Sequence, residues 1–440
     1  MKFFSYKNRP FHLGPYPLER LARQDGMPDL SAVPTMQPVS FRKPEQDSLC
    51  NAMVNYQAML DAIRDGMVKK EAAEIPADIA ERSRHLKSFG YYQDASQVGI
   101  CKLSAAMVLD SPISNPDMGE IGQLVNEIQP KTFSSGIDIV MAELREVMSS
   151  PPRGIDHHTD VIVFLYEYPR DPLAGESGYN WLRDSQRQRA CLRAAETAVI
   201  ISNYIRLLGF EARAHSGSCS DVDLNKLAVA SGLARVESTP EGAVITNPYT
   251  GQRFGLCAVT TTMELSADRA LATTFGPLDY LRSHGPAWWL GYGASKNKFN
   301  QLGYKNRAFK DGSFPFEKIK RVDSPTTFFD EQRIPRVPKR TDMFARAIFG
   351  DLGTHVQEGA KNGNHTRKSP TSFAARRPLG AFVLLQDGPS ADSVSEQAKN
   401  EQENADNIKA ALYYLGADAV GISRCPESVS YTHLTLPTKA

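Results

Sequence analysis

Hydrophobic and polar residues alternate along this chain with two different periods, which predicts a mixture of helices and strands. Short apolar runs bounded by charged residues or proline predict buried strands over Gln97–Lys102 and residues 160–166. The longest helical pattern, at 185–208, ends at Gly209, a residue type that tolerates the left-handed conformation of a helix C-terminus. A further strand is predicted over 210–215. The pattern therefore indicates an α/β chain.

Further helices and strands are predicted on both sides of this region. Ser220 is the expected N-cap of a helix over 221–231 that ends at Gly232. Two β-like runs, 243–247 and 253–260, flank the turn sequence Pro-Tyr-Thr-Gly and predict a hairpin. The other predicted elements are helices within 47–67 and at 76–89, 341–349 and 393–415, strands at 381–385 and 419–423, an irregular excursion at 282–330, and a linker at 350–377.

One passage of the sequence occurs twice, at 86–102 and at 408–424. In both copies two adjacent tyrosines precede Val-Gly-Ile at the same distance. Helix–turn–strand units can look alike through shared propensity, so convergence is the alternative to duplication. The tyrosine doublet at a fixed spacing favours an internally duplicated module. The identical pairs are Lys87/Lys409, Tyr91/Tyr413, Tyr92/Tyr414, Ala95/Ala417, Val98/Val420, Gly99/Gly421 and Ile100/Ile422.

Composition narrows the class of protein. The 440 residues leave room for two or three domains, and a formal net charge of +1 gives no electrostatic reason for nucleic-acid binding. No apolar run approaches the roughly 18 residues that span a bilayer, and residues 1–13 lack the apolar segment of a secretion signal, so a cytoplasmic protein is predicted. The six scattered cysteines form no C-x-x-C pair, which argues against a zinc ribbon or an iron–sulfur cluster built within this segment and predicts buried side chains.

Two polar runs contain residue types that carry chemistry. Residues 156–160 read Asp-His-His-Thr-Asp, but adjacent histidines on an extended segment point to opposite faces, so no metal site is predicted there. Residues 215–221 combine His, Ser, Cys and Asp ahead of a predicted helix. They are interpreted as capping groups, with anion binding at the helix N-terminus as the alternative.

Two further groups are candidates for ligand binding. Trp288 and Trp289 belong to the densest aromatic cluster, which either packs between elements or lines an aromatic or corrin pocket for the substrate. Ser423, Arg424 and Cys425 follow the predicted strand at 419–423. Ligands of open α/β folds gather beyond the carboxyl ends of strands, which makes these three residues candidates for cofactor binding.

Five stretches carry a resemblance to a known family. They read F-H-L-G-P-Y-P-L-E-R-L at 11–21, L-G-F-E-A-R-A-H-S at 208–216, D-L-N-K-L-A-V-A-S-G-L at 223–233, K-R-T-D-M-F-A-R-A-I-F-G-D-L-G at 339–353 and L-G-A-D-A-V-G-I-S-R-C-P-E at 415–427. Together the stretches resemble the cobalamin-dependent reductive dehalogenases, particularly their soluble catabolic branch. The second, third and fifth are also similar to epoxyqueuosine reductases, whereas the first and fourth favour the dehalogenases.

This resemblance implies an architecture and a set of cofactors. The family carries two fused nitroreductase-like α/β modules, each with an antiparallel or mixed sheet and flanking helices. Residues 1–80 would wrap the core, 81–375 would form a degenerate first module, and 376–428 would open the second, cobalamin-binding module. Two [4Fe-4S] clusters follow in the family, and in the catabolic branch a flavin and ferredoxin-type reductase section comes after them.

The chain also departs from the family pattern. It has no C-x₂-C-x₂-C-x₃-C-P run, so ligands for the two clusters are absent. The resemblance places the catalytic tyrosine beyond Ser428, and residues 429–440 are similar to read-through adaptor sequence, which predicts a non-native tail. The catalytic residues are therefore expected to be missing from this chain.

The resemblance implies the N-terminal part of an oxidoreductase that removes halogen from an organohalide, specifically an aromatic one, and that is inactive as this fragment. Its implied partners are the small organohalide and an electron-donating reductase domain or protein, with no nucleic acid and no membrane. The alternatives are a non-catalytic scaffold or binding module, and a corrinoid oxidoreductase related to epoxyqueuosine reductase.

Overall fold

The computed structural model describes residues 11–44, 48–127, 145–146, 153–176, 178–285, 319–323, 330–333, 339–362, 369–382, 385, 392–394, 400–417 and 419–424. Within these ranges the chain has a mixed α/β structure in which the paired strands are antiparallel, as the sequence predicts at this level. The strands are β1 (Gln97–Lys102), β2 (Val108–Ile113), β3 (Asp160–Glu167), β4 (Ala212–His215), β5 (Ser220–Val222), β6 (Arg235–Thr239), β7 (Gly242–Thr246) and β8 (Phe254–Thr261). The helices are α1 (Leu49–Ala62), α2 (Ile79–Tyr92), α3 (Met118–Glu127), α4 (Tyr179–Leu182), α5 (Gln186–Leu207), α6 (Leu224–Ala230), α7 (Pro277–His284), α8 (Met343–Phe349), α9 (Thr354–Asn362), α10 (Pro370–Phe382) and α11 (Glu401–Tyr414).

The main sheet has the strand order β1-β3-β8-β4 and is covered on both faces. Side chains of a strand point alternately to the two faces, so one strand contributes to two cores. In β3, Ile162 and Phe164 join the core that includes α5, whereas Val161 and Val163 join the core that includes α6. Each of these side chains is fully buried, and burial of a side chain as large as Phe164 stabilises the fold by about 1.5–3 kcal/mol.

The N-terminal segment covers the second face of this sheet. Residues 11–44 contain two short 3-10 helices, Phe11–Leu13 and Leu18–Arg20. Their flanking apolar side chains are buried in the same core as α6, and Arg23 donates to the carbonyl oxygens of Gly232 and Arg269. The buried residues of this segment are Tyr16, Leu18, Leu21, Leu30, Val33 and Met36.

Several predicted elements agree with the structure. The strand Gln97–Lys102 has the predicted bounds, and β3 extends the prediction at 160–166 by one residue. The long helix α5 ends just before Gly209, whose φ of 91° is the left-handed value that its residue type predicts. Helices α1 and α8 lie within or at their predicted ranges. Among the described residues, no helix combines the length and the apolar character needed to cross a membrane.

The hairpin predicted from 243–247 and 253–260 is wrong in its pairing. Strand β7 pairs with β6, whereas β8 lies between β3 and β4 in the main sheet. Every residue of β8 is buried, and such a strand needs neighbours on both sides and cover on both faces. The connection between β7 and β8 is held instead by Asn247, whose side-chain amide donates to and accepts from the side-chain amide of Gln97 in β1.

Other predicted elements are also corrected. The linker predicted at 350–377 contains α9 and most of α10, and the strand predicted at 381–385 begins inside α10. Helix α10 forms because its small buried residues Ala374 and Ala381 pack in the α5 core, and Asn203 donates to the carbonyl oxygen of Ala374 at 3.1 Å. The helix predicted at 221–231 starts later, at Leu224, because Asp223 is its N-cap and Ser220 belongs to β5.

Candidate functional site

The repeated passage has the same hydrogen-bonded turn in both copies. At the end of α2 the phenol oxygen of Tyr91 accepts from the backbone N–H of Val98 at 3.3 Å. At the end of α11 the phenol oxygen of Tyr413 accepts from the backbone N–H of Val420 at 3.2 Å. These four residues occupy equivalent positions of the repeat, so the sequence similarity extends to the local geometry.

The backbone of the two turns agrees as well. Asp94 and Gly416 occupy the same repeat position, and both adopt a left-handed conformation, with φ of 66° and 105°. The next residue, Ala95 or Ala417, donates its N–H to the carbonyl oxygen five residues earlier, at 3.1 and 3.0 Å. Both helices therefore end in a left-handed C-terminal motif of the Schellman type.

The copies differ after the turn. Residues 97–102 form β1, but residues 419–424 form no strand within the part of the chain that the structure describes, so the strand predicted at 419–423 is not observed. A strand in this position needs a partner for its backbone, and β1 has β3. Of the predicted cofactor-binding residues, Ser423 and Arg424 are exposed, and Cys425 lies outside the described residues. Trp288 and Trp289 also lie outside them.

Helix α11 is attached to the rest of the structure through one face. The phenol of Tyr414 donates to the carbonyl oxygen of Ser185 at 2.7 Å, and the guanidinium of Arg189 lies 5.4 Å from its ring centroid. Burial raises the pKa of Tyr414 above its ordinary value. Leu182 and Ala410 complete this contact. The last turns of α11 thus lie beside the start of α5.

The described cysteines are poor ligands for a metal cluster. Cys50, Cys101, Cys191, Cys219 and Cys257 are free thiols and are buried, as the scattered spacing predicts. Burial raises the pKa of each thiol, to about 11 for Cys191 and Cys219. Because the thiolate is the ligand form, these side chains do not fit an iron–sulfur cluster and serve instead as small core residues.

The predicted polar run at 215–221 is bound to a buried carboxylate. Asp61 of α1 accepts from the hydroxyls of Ser216 and Ser218 at 2.7 and 2.6 Å. It also accepts from the side-chain amides of Asn115 and Gln57 at 2.8 and 2.9 Å. These four donors saturate the carboxylate of Asp61. The two serine hydroxyls donate to Asp61 and are therefore not available to bind an anion.

His215 and Asp221 lie in a buried charged cluster. Asp221 contacts Arg64 at 2.9 Å and Arg213 at 3.2 Å, and Arg213 also contacts Asp65 at 2.7 Å. Burial lowers the pKa of His215 well below its ordinary value, so its imidazole is neutral. Sequence reasoning missed Arg64 and Asp65 as partners because they lie about 150 residues before Arg213 and Asp221 and meet them only through the fold.

The cluster does not form a working catalytic triad. The Nε2 atom of His215 lies 2.9 Å from Oγ1 of Thr260, and its Nδ1 atom lies 3.6 Å from Asp221. This order resembles nucleophile, base and acid. Thr260 is fully buried in β8, however, so no substrate reaches its hydroxyl.

The backbone of the Asp-His-His-Thr-Asp run differs from the predicted extended conformation. The prediction assumed an extended segment, but residues 156–157 form a turn in which the N–H of His158 donates to the carbonyl oxygen of Ile155 at 2.9 Å. The turn breaks the alternation of side chains, and both histidines approach Glu211. The premise that they point to opposite faces is therefore wrong.

The chain is similar to solved structures of the catabolic reductive dehalogenase NpRdhA. The N-terminally tagged protein aligns with a TM-score of 0.73 and 33% identity over 96% of this chain and 53% of NpRdhA. NpRdhA in complex with 3-bromo-4-hydroxybenzoic acid aligns with a TM-score of 0.69 and 34% identity over the same shares. A reductive dehalogenase structure that suggests a mechanism for B12-dependent dehalogenation aligns with a TM-score of 0.73 and 32% identity, over 96% of this chain and 53% of its own.

Other comparisons add no function. Epoxyqueuosine reductase from Bacillus subtilis aligns with a TM-score of 0.26 and 11% identity, over 46% of this chain and 50% of its own. This similarity is too weak to indicate a shared fold or function. No protein-family model and no curated protein matches the chain. The chain spans about half the length of the dehalogenase structures that it matches.

Proposed function

Because this chain belongs to the cobalamin-dependent reductive dehalogenases, we propose that it is part of an enzyme that replaces a carbon–halogen bond of an organohalide by carbon–hydrogen. The observation that carries this proposal is the match to NpRdhA at 33% identity over 96% of the chain. The bound 3-bromo-4-hydroxybenzoic acid of one NpRdhA structure supports an aromatic substrate for the enzyme proposed here.

The role of this chain within that enzyme is a separate proposal. Residues 81–375 act as a nitroreductase-like scaffold module behind the extension 1–80, and residues 376–428 open a second, cobalamin-binding module that arose by duplication. The shared turn geometry at Tyr91 and Tyr413 supports the duplication.

The described cysteines do not fit the family's iron–sulfur clusters. They are buried thiols with raised pKa, and Ser423 and Arg424 are exposed. We therefore assign no catalytic step to the described residues. Cobalamin, the two [4Fe-4S] clusters and an electron-donating reductase domain or protein belong to the complete cytoplasmic enzyme, and the chain alone is inactive.

One experiment separates these proposals. The 440-residue chain and a longer chain from the continuing reading frame are each incubated anaerobically with hydroxocobalamin, iron, sulfide and a low-potential chemical reductant. Halide release from 3-bromo-4-hydroxybenzoic acid and from other haloaromatic compounds is then measured. We expect release with the longer chain only.

The possible outcomes bear on different parts of the proposal. A longer chain that holds its cofactors but releases no halide from any organohalide would refute the dehalogenase function. Release by the 440-residue chain alone would refute its inactivity. A reading frame that ends at codon 440 would favour the second candidate, a non-catalytic scaffold, which the buried thiols of the described residues also favour.

A further inference from the structure

Three side chains with metal-binding atoms converge at one edge of the main sheet. They are His157, His158 and Glu211, and one ligand atom from each lies within 4.8 Å of the other two. The Nε2 atom of His157 is 2.5 Å from Oε2 of Glu211, and the Nε2 atom of His158 is 4.0 Å from the same oxygen. The two imidazole rings meet edge to face, with centroids 4.9 Å apart.

The backbone on both sides of this cluster is held by the sheet. Glu211 donates its N–H to Oγ1 of Thr262 at 3.1 Å and accepts from Oγ1 of Thr261 at 2.6 Å. Thr159, directly after the histidines, donates its N–H to the carbonyl oxygen of Thr261 at 3.0 Å. The three side chains therefore project from rigid backbone at neighbouring strand ends, as a preorganised site requires.

The ring of His158 is oriented by a hydrogen bond to Thr260. Its Nδ1 atom lies 2.8 Å from Oγ1 of Thr260, and Nε2 of His215 lies 2.9 Å from that oxygen on the other side. A hydroxyl oxygen has two acceptor sites, so it can accept from both rings and leave Nε2 of His158 directed at Glu211. A hydrogen bond from the second ring nitrogen is the usual device that orients a metal-binding histidine.

The buried ring of His158 faces a carboxylate, and a neutral imidazole is the form that binds metals. The charge of Arg213 is offset by its ion pairs with Asp65 and Asp221. Asp160, two residues after His158, is engaged with Lys102 at 2.7 Å and is not a ligand.

We propose that His157, His158 and Glu211 bind one divalent transition-metal ion, with Zn²⁺ as the best match. Two imidazoles and a carboxylate are an established ligand set for zinc, which is bound at about 2.0–2.2 Å by nitrogen and oxygen and keeps a fourth position open in such sites. The ion takes the place of the hydrogen bond between Nε2 of His157 and Oε2 of Glu211. Closing the site requires a shift of about 1 Å, which the half-exposed ring of His157 allows. This site is independent of the dehalogenase function.

The test uses the tag-free 440-residue chain after treatment with a chelator that is then removed. Co²⁺ replaces Zn²⁺ as a spectroscopic probe, because bound Co²⁺ gives visible d–d bands whose intensity reports the coordination number. Isothermal titration with Zn²⁺ gives the stoichiometry and affinity. The variants are His157→Ala and Glu211→Gln, which alter partly exposed side chains, and His355→Ala serves as a control on the exposed helix α9.

We expect one equivalent of metal in the unmodified protein and in His355→Ala. Each ligand variant loses at least about tenfold in affinity, since even the substitution of a residue that only orients a ligand costs about tenfold to a hundredfold. Zn²⁺ raises the Tm of the unmodified protein and not of the two ligand variants, while all four proteins have the same Tm in the chelator. Absence of visible bands and of saturable heat in the unmodified protein would overturn the proposal. Equal affinities of all four proteins would overturn it as well, because the ion would then bind elsewhere.

Discussion

Gly99 and Gly421 occupy the same position of the repeated passage but have different surroundings, which makes them a matched pair for mutation. In β1, a Cβ on residue 99 would lie 2.6 Å from the backbone oxygen of Ser231 and 3.0 Å from Cγ of Leu233. On residue 421 a Cβ would meet no atom of the described residues within 4 Å. Alanine at the two positions therefore tests how tightly β1 packs against the end of α6.

The neighbour of Gly99 cannot rotate away. The carbonyl oxygen of Ser231 belongs to the end of α6, which is closed by hydrogen bonds from Ser231 to Leu227 and from Leu233 to Ala228, both at 2.9 Å. Gly99→Ala must therefore displace β1 or α6 by several tenths of an ångström. Overpacking of this kind costs about 1–3 kcal/mol, and the smaller entropy of the unfolded alanine chain returns about 0.4–1 kcal/mol.

Gly99→Ala is thus expected to lower the free energy of unfolding by about 2 kcal/mol, since a contact below 3 Å with backbone lies at the costly end of this range. The expected decrease in Tm is roughly 4–8 °C for a folded unit of 150–250 residues. Gly421→Ala is expected to change stability by no more than about 0.5 kcal/mol. Urea unfolding followed by far-ultraviolet circular dichroism measures both. Equal shifts of the urea midpoint in the two variants would refute the reasoning.

Three further predictions follow from single contacts. Tyr414→Phe removes the hydrogen bond to Ser185 and should weaken the attachment of α11 by about 0.5–1.5 kcal/mol. Limited proteolysis should then cleave α11 faster, and an unchanged cleavage rate would contradict the docking of this helix. Asp223→Ala removes the N-cap of α6 and should lower the free energy of unfolding by about 1–2 kcal/mol in urea titrations, an effect that an unchanged midpoint would rule out. Because burial lowers the pKa of His215, the native state keeps this ring neutral while the unfolded chain protonates it below about pH 6.5. The free energy of unfolding should therefore decrease as the pH falls below about 6.5, with a smaller slope in His215→Gln; identical slopes would show that His215 does not contribute.

The sequence was sufficient to predict those features that depend on interactions between residues close together in the chain. The bounds of β1 and the end of α5 at Gly209 follow from apolar runs and from the conformational preference of glycine. The repeated passage was also visible in the sequence, and its two tyrosine hydrogen bonds follow from that similarity. The start of α6 was misplaced because both Ser220 and Asp223 are acceptable caps, and only packing against the sheet decides which residue caps the helix.

The candidate sites depended on contacts that local patterns do not encode. Asp61, on a helix about 155 residues earlier in the chain, accepts hydrogen bonds from Ser216 and Ser218 of the polar run at 215–221. Glu211 meets His157 and His158 because a turn and two strand ends lie together at one edge of the sheet. A rule about alternating side chains cannot detect such a turn, because it assumes an extended backbone and the N–H of His158 bonds instead to the carbonyl oxygen of Ile155.

The sequence by itself determined the α/β class, the main helices, the first sheet strand and the family of this protein. Propensity, periodicity and the similarity of short stretches act over a few residues, so they can be recognised without a structure. The tertiary structure alone decided that β8 pairs with β3 and β4, that residues 370–382 form a helix, and that two adjacent histidines face one carboxylate. The physical reason is that strand pairing, burial of small residues and charge clustering are settled by partners far away in the chain.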